Sequence, residues 1–365
     1  MLAIDQTACD LLVADVLGFM AKPQVSDEAF NALALRVFAH QFANNVPFQR
    51  FCHSRGKTPR VVKDWRDIPA VPINAFKDLT LSCVEPQTCD RVFMTSGTTR
   101  GDVKGRHYHP SMAVYDASML RNFDQHVMRG LKHVRMGILF PDEHLLPNSS
   151  LAHYLGLALA SFATPDSAHY LNDKGLQVDL LCEALLDAQR AGEPFFLLGA
   201  SFSFVHLMDE LKARNLTFTL PAESLLLDTG GFKGQSRDVP VEAFYQQLSA
   251  TFGVSAERCL NMYGMTELSS QFYDAGNHIT PSVKSGPHWI RSRLVEPLTG
   301  QAVAPGERGV LAHTDLANYN SVVTILTEDV GVMQDHGFVL LGRAQGTQAK
   351  GCSLAVDEFL KASAP

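Results

Sequence analysis

The 365-residue chain has seven cysteines, an odd number, at positions 9, 52, 83, 89, 182, 259 and 352, and none of them forms a Cys-x-x-Cys pair. That spacing argues against zinc knuckles and redox couples, and reduced thiols in a reducing compartment fit it best. Long hydrophobic runs are missing as well. The longest, Tyr154 to Ala163 and Phe195 to Met208, fall short of the roughly 20 residues that cross a bilayer, and Ser201, Ser203 and His206 interrupt the second, so no membrane span is expected. No basic leader opens the chain: Asp5, Asp10 and Asp15 lie among apolar residues that read as one helix face, not as a signal peptide. A cytoplasmic location is expected. Basic residues are too few for a general nucleic-acid binder, 31 Lys plus Arg against 38 Asp plus Glu for a net charge of -7, although a local basic pocket remains compatible with this balance. Internal repeats, low-complexity segments and charge runs are absent.

What is present is the composition of a globular enzyme, 46% hydrophobic and 19% charged, on a chain long enough for about two domains. From Ser26, a good N-cap, the residues Phe30, Leu33, Ala34, Val37 and Phe38 recur with helical period up to Asn44 and Asn45. A loop punctuated by Pro59, Pro69 and Pro72 follows. Short apolar runs then begin, Val92 to Met94, Met136 to Phe140, Phe195 to Leu198 and Leu225 to Leu227, and helical patterns separate the last three. One such helix, Leu176 to Ala191, is expected to bury a stripe of Leu180, Leu181, Ala184, Leu185 and Ala188 and to stop at Gly192. Continuous apolar strands alternating with helices predict an α/β fold of mostly parallel sheets covered by helices. From Pro281 onward, Pro and Gly turns between short β-rich runs predict a smaller antiparallel β lobe. The expected division is a helical segment at residues 1–90, an α/β core at 91–280, a β-rich lobe at 281–342 and a tail at 343–365.

Three segments carry chemistry. Between Phe93 and Arg106 a strand opens into Thr95-Ser96-Gly97-Thr98-Thr99-Arg100-Gly101-Asp102-Val103-Lys104-Gly105, which offers four hydroxyls, several glycines and, with Arg106, three cations. Triphosphate oxygens need that mixture of short donors and positive charge, yet the Walker spacing is absent and a polar Gly-rich surface turn would look the same. In Asn261-Met262-Tyr263-Gly264-Met265-Thr266-Glu267, Tyr263 could stack on a base, Thr266 could bond a phosphate and Glu267 could hold a magnesium ion. In Asp228-Thr229-Gly230-Gly231-Phe232-Lys233, two glycines at a strand end would let a planar ring approach the backbone, or mark an ordinary strand-to-loop turn.

Taken together these segments resemble the adenylate-forming superfamily of acyl-CoA synthetases, peptide-synthetase adenylation domains and luciferases. Thr95-Ser96-Gly97-Thr98-Thr99 with Lys104-Gly105 looks like its phosphate loop, and Tyr263-Gly264-Met265-Thr266-Glu267 like its aromatic-Gly-x-Thr-Glu motif. Thr327-Glu328-Asp329 stands in the place of its Thr-Gly-Asp, which implies that Asp329 binds the ribose hydroxyls. Gly342-Arg343 resembles the Gly-Arg that begins its hinge. The four motifs occur in the family's order between about Val92 and Arg343. The resemblance implies ATP and Mg²⁺ as cofactors and a small carboxylic acid as substrate, with His153 and Lys233 on the substrate side. Arg100 in place of a glycine, a loop one residue longer before Lys104, and Gly346 in place of the hinge Asp depart from the pattern.

With Pro365 as the last residue, the superfamily's C-terminal lysine domain is not expected. The chain is then similar to the acyl-protein synthetases of bacterial luminescence, and Gly351-Cys352-Ser353 resembles their Gly-Cys-Ser, implying Cys352 as acyl acceptor. Short adenylating proteins of phenazine antibiotic clusters are also similar, so a fatty acid and an aromatic acid both remain open. An acyl reductase or another thiol-bearing protein is the implied partner. Weaker readings are a metal pair at His107 and His109, for which a structural role is preferred, and a serine nucleophile in Gly199-Ala200-Ser201-Phe202-Ser203, whose final Ser would strain the elbow. A non-catalytic nucleotide- or acyl-binding subunit is the alternative of a different class.

Overall fold

The helix Asp27–Asn44 starts as its sequence requires. Ser26 is extended and its hydroxyl accepts the Ala29 N–H at 3.2 Å, Asp27 and Glu28 fill the positive first turn, and Phe30, Leu33, Ala34, Val37 and Phe38 are all buried. This computed structural model describes residues 6–96, 103–232 and 236–363. The chain forms two compact units, one of Met1–Met119, Met265–Ser270 and Gly286–Pro365, the other of Leu120–Gly264 and Gln271–Ser285.

The first unit joins stretches expected as separate segments. Its sheet is an antiparallel meander of Ile290–Val295, Gly309–Asp315, Thr324–Gln334 and Gly337–Arg343, the β-rich lobe of the sequence pattern. The early strand Val71–Pro72 adds to it, parallel to Thr324–Gln334. The helix Gly346–Ser363 packs on the helix Val46–Ser54: the rings of Phe51 and Phe359 meet edge to face at 4.7 Å, and Arg55 pairs with Glu358 at 2.7 Å. Those contacts are why residues 1–90, 286–342 and the tail share one unit with residues 91–119. A hairpin of Arg91–Met94 and Arg106–His109, with Met94 opposite Arg106, presents the loop between them.

The second unit is the α/β layer. Its sheet runs in the order Phe272–Tyr273, Cys259–Tyr263, Leu225–Thr229, Phe195–Ala200, Arg135–Leu139, Ala168–His169. All pairs are parallel except the first, which is antiparallel. Every residue of Phe195–Ala200 is buried, as expected of a strand covered on both faces. The helix Val178–Ala191 ends at Gly192 with φ +70°, but its stripe is Val178, Leu181, Ala184, Leu185 and Ala188, and Leu180 is 57% exposed. Leu180 and Leu181 are about 100° apart on the helix, so only one can continue the i, i+3 row that Val178 begins. No helix of the described residues is long and apolar enough to cross a membrane.

This assignment of faces has a measurable consequence. Leu181→Ala should lower the unfolding free energy by about 2 to 5 kcal/mol, and Leu180→Ala by no more than about 0.5 kcal/mol. Urea denaturation that finds equal effects would mean the helix is rotated from this setting.

Candidate active site

In the first unit, the loop between Arg91–Met94 and Arg106–His109 is closed at its base by two hydrogen bonds. The Thr95 N–H donates to the Gly105 carbonyl at 3.0 Å, and the Gly105 N–H donates to the Thr95 hydroxyl at 3.0 Å. Ser96 and Lys104 are exposed beside this base, while Gly97, Thr98 and Thr99, with Arg100, lie outside the described residues. A Cβ at Gly105 would be tightly placed, 3.2 Å from Thr95 Cγ2 and 3.3 Å from Glu267 Oε1, so either side chain would have to give by a few tenths of an ångström. The missing side chain thus admits the Glu267 carboxylate, 5% exposed, to the base of the loop. One carboxylate beside a segment with exposed hydroxyl and ammonium groups is a donor set that suits magnesium, which is commonly held by one or two carboxylates together with substrate phosphates.

The neighbouring carbonyl, of Thr266, accepts from His107 Nδ1 at 3.0 Å. A carbonyl can only accept, so Nδ1 carries the proton, and Nε2 of the neutral ring accepts from the Ser321 hydroxyl at 3.1 Å. Burial pushes the His107 pKa down to about 4, against the opposing pull of the Thr266 carbonyl. With both nitrogens engaged, His107 serves as a structural residue. His109 lies beside it, its ring tilted by 47° with centroids 4.2 Å apart.

On the meander, Asp329 and Arg343 stand opposite one another, with Arg343 Nε 3.4 Å from Asp329 Oδ1 and Nη1 3.1 Å from Glu328 Oε2. The Asp329 carboxylate keeps part of its surface in solvent, so hydroxyl donors can reach it. Cys352 is buried on the helix Gly346–Ser363 among Val295, Val310, Leu326 and Ala355. Its Sγ lies 3.9 Å from the Thr327 carbonyl, and burial, with Glu328 adding repulsion, pushes the thiol up to about 11.

The remaining candidates belong to the second unit. Asp228, near the end of its strand, is buried, and its carboxylate accepts from Ser201 Oγ at 2.6 Å, Tyr245 OH at 2.9 Å and Asn261 Nδ2 at 3.0 Å. Burial pushes its pKa up to about 6 although these donors pull it down. Immediately beyond, Gly230 takes φ +80°, which explains a glycine there, and among the described residues nothing lies within 4 Å of where a Cβ of Gly230 or Gly231 would point. That open strand end is where the sequence pattern put a planar ring. Lys233 lies outside the described residues. Tyr263 ends the strand Cys259–Tyr263, with its ring 5.8 Å from that of Phe272, and Gly264 follows. His153, on the helix Ser150–Phe162, holds Glu143 Oε1 at 2.5 Å through Nδ1.

The serine-nucleophile reading loses its base, because Ser201 Oγ is turned to Asp228 and the Thr229 carbonyl, and among the described residues no imidazole bonds to it. The bond from His107 to Thr266 and the network around Asp228 were not read from the sequence. A charged residue closing the apolar run Leu225 to Leu227 was the available signal for the second, since a buried carboxylate demands several donors.

With a pKa near 11, about one Cys352 thiol in a thousand is ionised at pH 8. Iodoacetamide at pH 8 should therefore leave Cys352 unmodified in the folded protein and modify it after urea unfolding, as peptide mass mapping can show. Rapid labelling of Cys352 in the folded protein would contradict this burial.

The sequence matches the acyl-protein synthetase family LuxE over residues 4–361. It is 21% identical over 365 residues to the long-chain-fatty-acid–luciferin-component ligase of Vibrio harveyi, covering 95% of this chain and 94% of that relative. The ligase of the same name from Aliivibrio fischeri is 23% identical over 367 residues, with the same coverage. The fold is similar to that of 2-hydroxyisobutyryl-CoA ligase, with a TM-score of 0.62 at 13% identity over 87% of this chain and 74% of that one. An ATP-bound RpMatB-BxBclM chimera aligns with a TM-score of 0.51 at 16% identity over 71% of this chain and 49% of its own. The fold is thus that of the N-terminal part of adenylate-forming enzymes. A family match spanning almost the whole chain, on a fold that carries the Thr95–Gly105 loop and Glu267 together, identifies the chain as a member of the LuxE acyl-protein synthetase family and an acyl-adenylate-forming ligase.

Proposed function

We propose that this ligase activates a long-chain fatty acid with ATP and passes the acyl group to a thiol, from which a partner reductase would release the aldehyde. The observation that carries the reading is the Glu267 carboxylate set against Gly105 at the base of a hydroxyl-rich loop. The fatty-acid class is supported by the two luminescence relatives, each aligned along nearly its full length.

In the first step a carboxylate oxygen of the acid attacks the α-phosphorus of ATP. The new O–P bond forms as the bond to pyrophosphate breaks, and no proton has to be removed. The obstacle is charge. Two like charges about 4 Å apart repel by about 1 kcal/mol in water and about 4 kcal/mol at an effective dielectric near 20. Lys104 supplies countercharge on the protein's side, with the hydroxyls of Thr95, Ser96, Thr98 and Thr99 as donors to phosphate oxygens. A magnesium ion held by Glu267 would supply further countercharge while pyrophosphate leaves. Asp329 accepts from the ribose hydroxyls and is oriented by Arg343. By the family resemblance, Gly230, Gly231, Tyr263 and Gly264 are the candidates for the purine, Thr266 for the phosphates, and His153 and Lys233 for the acid.

In the second step a thiolate sulfur attacks the acyl carbon, the C–O bond to AMP breaks, and the thiol proton is lost to solvent. If the thiol is that of Cys352, the helix Gly346–Ser363 has to shift first, because the sulfur is buried and its proton tightly held. A thiol of the partner protein needs no such movement.

ATP–pyrophosphate exchange over a panel of fatty and aromatic acids tests the first step. Long-chain fatty acids should support exchange, and Asp329→Ala should weaken ATP binding by about 1 to 3 kcal/mol. Exchange with aromatic acids alone, phenazine carboxylates among them, would move the substrate class. Absence of exchange with every acid would leave a nucleotide- or acyl-binding subunit without chemistry of its own. For the second step, labelled acid with ATP and Mg²⁺ should leave a hydroxylamine-labile thioester, and Cys352→Ser should abolish that label while sparing exchange if Cys352 is the acceptor. Normal aldehyde production by Cys352→Ser with the reductase would assign the acceptor to the partner.

A further inference from the structure

Thr266 and Glu267 sit in a turn closed by the Leu268 N–H to the Met265 carbonyl at 3.2 Å, and residues 264–270 belong to no helix or strand. Glu267, Leu268, Ser269 and Ser270 are nevertheless buried, so their backbone groups need partners that a sheet or helix would otherwise provide. Two buried side chains provide them. Asn318 spans the turn with one amide: its Nδ2 donates to the Glu267 carbonyl at 2.9 Å, and its Oδ1 accepts the Ser269 N–H at 2.9 Å. Asp315, the last residue of the strand Gly309–Asp315, accepts from the Ser269 N–H at 3.1 Å, the Ser270 N–H at 2.9 Å and the Ser270 hydroxyl at 2.8 Å. The clamp is itself anchored. Asp315 accepts the Ala317 N–H at 3.0 Å, the Asn318 N–H donates to the Asp315 carbonyl at 3.1 Å, and Gln41 Nε2 donates to the Asn318 carbonyl at 2.8 Å.

We propose that Asn318 and Asp315 are positioning residues that hold the Glu267 carboxylate against Gly105, and so set how tightly the ligase takes up a divalent cation with ATP while touching neither. This rests on the reading of Glu267 as the cation's carboxylate. Asn318 bonds the main chain of Glu267 itself, so no intervening residue can absorb its loss. Only a few side-chain torsions separate that carbonyl from an Oε1 already within 3.3 Å of the Gly105 Cβ position. Released from Asn318, the 267–268 peptide can rotate and carry the carboxylate away, which a site needing sub-ångström placement does not tolerate.

The test measures cation binding directly. Free Mn²⁺ is counted by electron paramagnetic resonance in the presence of the full chain and a non-hydrolysable ATP analogue, for the parent protein, Asn318→Ala, Glu267→Gln and the double variant. Asn318→Ala should weaken Mn²⁺ binding by about tenfold or more, the usual effect of removing a group that orients a ligand. On the Glu267→Gln background the same change should have no further effect, because the carboxylate it orients is gone. Asn318→Asp keeps the acceptor for Ser269 but sets an oxygen against the Glu267 carbonyl, and should be no better than Asn318→Ala. Should Asn318→Ala not fold, the isosteric Asp315→Asn carries the same cycle.

An unchanged Mn²⁺ affinity in a folded Asn318 or Asp315 variant overturns the proposal, as does an effect that adds in full to Glu267→Gln. Glu267→Gln that leaves Mn²⁺ binding unchanged overturns the reading of Glu267 on which the proposal stands. That failure is distinguishable because it concerns the single variant alone.

Discussion

A nearly fully buried carboxylate beside a backbone with no side chain is the constraint around which the first unit is arranged. Glu267 lies so close to the base of the Thr95–Gly105 loop that a Cβ at position 105 would press on its carboxylate, and the turn that carries it has to be held. That turn has no ladder of its own, so its carbonyls and N–H groups are paired by residues distant in sequence: His107 at Thr266, Asn318 at Glu267 and Ser269, Asp315 at Ser269 and Ser270. Ser270 then accepts the indole N–H of Trp289 at 3.0 Å, which extends the network into the β-rich lobe. A buried polar network of this kind rigidifies only when each member is satisfied, and here one missing donor would leave an ionised Asp315 or an open carbonyl in a dry interior. The same burial raises the Asp315 pKa to about 6, so the four donors hold its charge against desolvation.

The second unit solves a similar problem with its parallel strands. Its buried polar residues are satisfied by one another across adjacent strands, Asp228 lying opposite Asn261. Asp228 takes bonds from Ser201, Tyr245 and Asn261, and Asn261 receives on its carbonyl the Lys284 ammonium at 3.3 Å. Lys284 in turn pairs with Asp274 at 2.6 Å, both side chains almost wholly buried. Asp274 also accepts from Asn261 N–H, Asn277 Nδ2 and Ser282 Oγ. A buried pair of this sort repays its desolvation only through such added hydrogen bonds, and removal of either partner alone would strand the other charge. The strand Leu225–Thr229 therefore leads from a fixed polar cluster at Asp228 directly into Gly230 and Gly231.

Cys352 separates two requirements that a self-acylating ligase would impose on one residue. A nucleophilic sulfur needs partial exposure and a neighbouring positive group, whereas Cys352 has an apolar surround and the acidic residue Glu328 nearby. Adenylation requires nothing of that thiol, since the substrate carboxylate is already the nucleophile. The two half-reactions consequently place different demands on the helix Gly346–Ser363, which rests on Phe51 through Phe359 and on the β-rich lobe through Cys352 and Ala355.

Local order was legible in the amino-acid sequence, because it depends on residues a few positions apart. The cap at Ser26, the period from Phe30 to Phe38, the buried strand at Phe195 and the stop at Gly192 all follow from spacing and side-chain type. Four motifs in order carried the family resemblance for the same reason. The face of Leu180 was not legible, since two adjacent leucines fit the period equally well until the sheet selects one. The union of residues 1–90 with the lobe and tail depends on a two-residue strand at Val71 and on rings at positions 51 and 359, pairings that no local pattern encodes. The sequence by itself thus determined the elements and the chemistry of their ends. Only the tertiary structure decided which of those ends share a unit, which carboxylates are dry, and that Asn318, unremarkable in its own stretch of chain, closes on the backbone of Glu267, because burial and hydrogen bonding between distant residues exist only once the chain has folded.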